Sequence, residues 1–127
     1  MKTYFTTSCA MLVGIAIGGF AVQGLHAQGK PKAWTVTESE LLDATALREY
    51  VPLAQAALKA HGARLFNTGG GKTVVLVGEA PKRIAINEFD SLEQAQAFYN
   101  SAAWKDLAPK REKSLKIVRQ FIIEGAN

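Results

Sequence analysis

With 127 residues and a net charge of +4, from fifteen Lys and Arg against eleven Asp and Glu, the chain is large enough for one domain behind a leader. Its one cysteine, Cys9, stands within the first ten residues, so everything after it excludes disulfides, thiolate nucleophiles and cysteine metal sites. The modest charge suits solubility, and a nucleic-acid partner is not expected, because that needs a denser basic face interleaved with aromatics.

Lys2 precedes an uncharged apolar run over residues 10–22. The run is too short to cross a bilayer, which takes about twenty residues, and Gly14, Gly18 and Gly19 weaken it as a helix. It has the length of a signal-peptide core, and Ala27 offers a small residue for cleavage. The reading is a signal peptide over 1–27 and a periplasmic or secreted protein, with an uncleaved N-terminal membrane anchor as the alternative. No other membrane contact is expected. Cys9 lies before the apolar run, where lipidation does not occur.

Residues 28–32 form a flexible leader. Trp34, Thr35, Val36 and Thr37 then favour a strand over 33–40. Asp43 is a natural N-cap for a helix reaching about residue 60, with Leu47, Tyr50, Val51, Ala54, Ala57 and Leu58 on one face. Pro52 cannot donate to the Arg48 carbonyl, so a kink or break is expected there. Gly62 ends the helix.

Strands are expected over 63–68 and 73–77, paired as a hairpin through Gly69-Gly70-Gly71-Lys72. Gly71-Lys72-Thr73 resembles the end of a phosphate-binding loop, but that motif needs a glycine where Phe66 stands and must open a helix. Nucleotide binding is rejected. After Pro81 comes a strand over 82–89, then a helix opened by Ser91 and Gln94 as a capping box, packing Leu92, Ala95, Phe98 and Tyr99. A short helical piece over 102–108 stops at Pro109, and a strand over 115–124 closes the chain.

This order is the split βαβ plan: an α+β, ferredoxin-like domain over 33–127, its antiparallel sheet carrying helices on one face and one extra strand. Both strand parities hold apolar groups. Ile84 and Ile86 oppose Ala85 and Phe89, while Val118 and Ile122 oppose Ile117, Phe121 and Ile123. A sheet with one polar side would alternate. A second cover is therefore expected, supplied by a twin subunit in a homodimer, with the few inward polar residues lining a cavity.

The run from Glu88 to Ser101, Glu-Phe-Asp-Ser-Leu-Glu-Gln-Ala-Gln-Ala-Phe-Tyr-Asn-Ser, followed by Trp104, Leu107 and the Lys110-Arg111 pair, resembles the domain of unknown function 1330 family. Arg48 to Pro52 and His61 to Leu65 are similar to it too. The resemblance covers residues 33–124 and implies a dimeric α+β barrel with a cavity near the sheet. It implies no established reaction, although relatives in the wider superfamily include monooxygenases and isomerases. Export is a departure from most of the family.

Few residues offer chemistry. His61 is the one histidine after the leader, at a helix C-terminus, and lacks a motif partner. Glu88 beside Phe89 has an apolar setting that would raise its pKa for proton transfer; the alternative is an ion pair with Arg83, Arg111 or Arg119. Arg83 and Arg119 stand on strands, where either would hold a carboxylate ligand if it entered the cavity. Tyr50, Tyr99 and Trp104 line a pocket or pack the core. One histidine with scattered carboxylates gives no metal-ligand spacing, and neither metal nor cofactor is expected. Three functions follow, in order: a dimeric module binding a small acidic ligand, a cofactor-independent enzyme using Glu88, His61 or a tyrosine, and a structural protein without ligand.

Overall fold

The computed structural model describes residues 29–126. The expected signal peptide and its cleavage point lie outside them. From Pro31 onward the chain forms one unit. Its elements run β1 (Ala33–Leu41), α1 (Ala44–Ala60), β2 (Arg64–Leu65), β3 (Ile84–Phe89), α2 (Leu92–Tyr99), α3 (Ala102–Lys105), α4 (Ala108–Ser114) and β4 (Leu115–Glu124). The strands pair antiparallel in the order β2-β3-β1-β4, which is the ferredoxin-like arrangement in an α+β fold.

Local chemistry sets the helix ends. Asp43 accepts from the N–H groups of Thr45 and Ala46 at 2.9 and 3.0 Å, capping α1. These bonds hold its carboxyl below the ordinary carboxylate range, that from Ala46 having the larger effect. Ser91 accepts from the Gln94 N–H at 3.1 Å, and Gln94 reaches back, one residue beyond the cap, to the Asp90 N–H at 2.9 Å. The same Gln94 amide donates to the His61 carbonyl at 3.0 Å, joining the start of α2 to the end of α1. Gly62 makes that approach possible: its φ is +80°, and a side chain there would collide with Gln94.

The core lies where these helix ends meet the sheet. Phe89 of β3 and Phe98 of α2 are fully buried, with Ala33, Leu58, Ala63 and Ala95 around them. Phe98 sits edge-on to His61 at 5.2 Å and to Tyr99 at 4.9 Å, and Trp104 extends the cluster.

Four expectations need correction. The strand over 73–77 is absent: Val74, Leu76 and Val77 are 74, 91 and 94% exposed, in irregular backbone. A strand requires an edge to pair with, and β2 is two residues long. Beyond it Asn67 adopts a left-handed φ of 51°, and Thr68 Oγ1 takes the next ladder bonds, donating to Ile84 O and accepting from Ile86 N. Nothing remains for 73–77 to join on that side. Pro109 opens α4 rather than ending a helix, since a missing N–H costs nothing in the first turn. Of the kink or break expected at Pro52, the break does not occur: α1 continues through it, its buried residues Ala46, Tyr50, Ala54 and Leu58 lying on both sides.

The fourth correction concerns β4. A bulge against Glu38 and Ser39 places Val118 outside the pairing, so Ile117 falls on the same face as Gln120 and Ile122, not opposite them. The helix-covered face of the sheet is therefore Thr35, Thr37 and Ser39 of β1, Ala85, Asn87 and Phe89 of β3, and Ile117, Gln120 and Ile122 of β4.

Candidate functional site

Small hydroxyl residues on the middle strand leave room beneath α1. Thr37 and Ser39 have side chains too short to reach the helix, and a cavity of about 200 Å³ remains between α1 and the sheet. It belongs to the helix-covered side of a single chain, whereas the sequence suggested a space beneath a twin subunit. Leu47, Tyr50, Val51, Ala54 and Leu58 of α1 form its apolar roof. The floor is mixed, with Thr37, Ser39, Asn87 and Gln120 beside Ala85 and Ile117.

Polar groups in this region hold one another in place. Gln120 Nε2 donates to Thr37 Oγ1 at 2.9 Å, and the Tyr99 hydroxyl donates to Thr35 Oγ1 at 3.0 Å. Burial pushes the Tyr99 phenol up, against the opposing pull of its bond to Thr35. Tyr50 is likewise pushed up by burial, with the Arg111 guanidinium pulling the other way. Both phenols are neutral at neutral pH.

Two arginines supply the charge. Arg111, half-buried on α4, lies with its guanidinium 3.8 Å from the Trp104 ring centre, and its Nη1 donates to the Trp104 carbonyl at 3.2 Å. Arg83 precedes β3, its guanidinium resting against Gly69 and Gly70, and a Cβ added at Gly69 would stand 2.7 Å from Nη2. Among the residues lining the cavity these are the charged ones; no carboxylate, lysine or imidazole joins them. Other cations, Lys32, Lys82 and Arg119 among them, form ion pairs with Glu88, Asp90, Glu40 and Glu38.

Of the residues singled out in sequence, Arg83, Tyr50, Tyr99 and Trp104 come together here. The others lie elsewhere. Glu88 faces the open side of the sheet, where it accepts from Lys32 Nζ at 2.7 Å and Trp34 Nε1 at 3.1 Å. The Lys32 hydrogen bond holds its carboxyl below the usual range, so the expected upward shift is reversed, and neither Arg83, Arg111 nor Arg119 is its partner. Arg119 pairs with Glu38 at 3.3 Å on that same open side. His61 caps α1, its Nδ1 2.8 Å from the Ala57 carbonyl and its ring against Phe98. Sequence reasoning missed Arg111 as a cavity residue, together with Thr37, Asn87 and Gln120. The signal for Arg111 was its place in the family-like motif beside Trp104.

Comparison with known proteins adds the lineage. The family model described as "Domain of unknown function (DUF1330)" matches residues 32–126. The chain is a member of this family. Like the family description, the match assigns no reaction. Among solved structures, a Rhodopseudomonas palustris protein of unknown function aligns with a TM-score of 0.60 at 13% identity, over 82% of this chain and 93% of its own. The methylated form of that protein gives 0.58 at 13% identity, over 82% and 91%. At such identity the likeness concerns the fold alone. No curated protein matches.

Proposed function

We propose that this protein is an exported homodimer that binds a small acidic ligand beneath α1 and catalyses no reaction on it. One observation carries the reading: among the described residues, the cavity is lined by two arginines and by no carboxylate, lysine or histidine. Both guanidiniums are half-buried and have no acidic partner among the described residues, and an anionic ligand would supply one. The volume of about 200 Å³ falls below the roughly 300–1,000 Å³ of drug-sized sites, which favours a small molecule. General acid–base chemistry finds poor support, because Glu88 and His61 stand outside the cavity and the tyrosines inside hold their protons.

Dimerisation rests on the opposite face. Trp34, Val36, Ile84 and Ile86 are only partly covered there, Phe121 is 45% exposed and Ile123 53%. A second copy packing face to face would remove this surface from water. Export rests on the leader over 1–27, and cell fractionation separates a periplasmic product from a membrane-held one.

The binding reading is tested by thermal shift of the mature protein against a panel of small carboxylates. At least one should stabilise it, and Arg111→Met should weaken that ligand by roughly 10- to 100-fold, the worth of a charge-assisted hydrogen bond. Arg119→Met should leave binding as it was. A panel without hits, or turnover of a bound acid, overturns the proposal.

A further inference from the structure

We infer, resting on the binding reading above, that the ligand is two-headed: a dianion, such as a dicarboxylate, that places one anionic group on Arg83 and the other on Arg111. The two cations line the cavity from different elements, Arg83 ahead of β3 and Arg111 on α4. Arg83 continues β3, its carbonyl accepting from the Ser39 N–H at 2.9 Å, so it lies level with Ser39 across that ladder. Arg111 belongs to α4, which runs directly into β4 at Leu115. The two guanidiniums rest on different supports, Arg83 against Gly69 and Gly70 and Arg111 against Trp104.

Neither guanidinium is free to swing to the other. Arg111 is laid on the Trp104 ring and tied to the Trp104 carbonyl, and Arg83 is seated on the glycine backbone of the β2–β3 connection. Each is held on its own support. Each also keeps donors in hand: a guanidinium has five N–H groups, and Arg111 gives one of them to Trp104. Two separate, unneutralised forks call for two separate anionic groups. Between them the apolar roof of Val51 and Ala54 faces Thr37 and Gln120 across the space, which suits a short carbon chain or ring carrying hydroxyl or keto groups on one side.

Gly69 gives a way to move one fork without removing its charge. Its φ lies outside the left-handed region, so alanine is tolerated by the backbone, yet the added methyl meets Arg83 Nη2 at 2.7 Å and displaces it. The experiment is calorimetric titration of the mature protein with matched pairs: hexanoate against adipate, butyrate against succinate, benzoate against terephthalate. One dicarboxylate should bind at least ten times tighter than its monocarboxylate. Arg83→Met, Arg111→Met and Gly69→Ala should each abolish that advantage, leaving the diacid equal to the monoacid. If Arg111→Met fails to fold, Arg83→Met and Gly69→Ala still decide. Equal binding of mono- and dicarboxylates overturns the two-headed ligand and leaves the acid-binding reading standing; no binding of either overturns both.

Discussion

The two faces of the sheet contradict the usual division of labour. Beneath the helices Thr35, Thr37, Ser39, Asn87 and Gln120 stand among Ala33, Ala85, Phe89, Ile117 and Ile122, and the open face carries Trp34, Val36, Ile84, Ile86, Phe121 and Ile123 beside Glu38, Glu88 and Arg119. In a sheet covered on one side the apolar residues belong under the helices. Charge is inverted as well. On the open face the acids meet bases, Glu88 with Lys32 and Glu38 with Arg119, while the cavity arginines meet none. An inner surface that sets polar groups and uncompensated arginines among its apolar residues suits a ligand, and an outer surface that leaves apolar residues partly uncovered suits a partner. Each face thus states a different unmet need.

The inner half of that contrast is broken most severely at its packed end. Phe98 is fully buried and touches His61, Phe89, Tyr99 and Trp104, the last of which supports Arg111. Phe98→Ala should cost about 3–5 kcal/mol by chemical denaturation, the range for deleting a buried aromatic ring. A loss below about 1 kcal/mol would mean that the aromatic cluster does not anchor the wall of the cavity.

The outer half is broken by charge. Phe121→Asp puts a carboxylate on the apolar open face, on the edge strand β4 and at a side chain already 45% exposed. The isolated subunit should keep its circular dichroism, because little packing is lost, while sedimentation should change from dimer to monomer. A dimer unaffected by this substitution would assign the open face to some other cover. The exposed Val74, Leu76 and Val77 would then be the next surface to change.

How much of this was legible in the sequence depended on what each residue's neighbours were. Elements set by local rules were readable: the Asp43 cap, the Ser91–Gln94 box, the stripe Tyr50, Ala54 and Leu58, and the strand order that follows from them. The strand expected over 73–77 was not, because β propensity says nothing about whether a partner edge exists. The cavity was not legible either. It depends on a bulge that turns Ile117 inward and on an α4 that begins at Ala108, with Pro109 in its first turn, and presents Arg111 to Trp104. Both are decisions of register, which one residue reverses. Glu88 shows the same limit. Phe89 beside it in sequence suggested an apolar pocket, but adjacent strand residues point to opposite faces, and its actual neighbours are Lys32 and Trp34.

That pair offers the finest test of the contrast, since it asks whether the open face is electrostatically settled. Lys32 holds the Glu88 carboxyl below its ordinary value of 4.5, and Glu88 in turn holds Lys32 above 10.5. A depressed acid contributes stability that is present above its unfolded pKa and lost as pH falls through the folded one. A raised base contributes stability that is present below its unfolded pKa and lost as pH rises past the folded one. The pair should therefore stabilise the protein across the neutral range and fade at both ends. Glu88→Gln removes both contributions while keeping a hydrogen-bond acceptor for Trp34. In urea titrations at a series of pH values, the difference between wild type and variant should be constant through neutrality and shrink below pH 4.5. It should also shrink above 10.5. Lys32 is half exposed, so the difference should be the smallest of those considered, and it should diminish further in high salt. A difference that instead grew on acidification would mean that Glu88 is held in its protonated form, as a proton donor would be, and the division between a settled outer face and an unsatisfied inner one would fail.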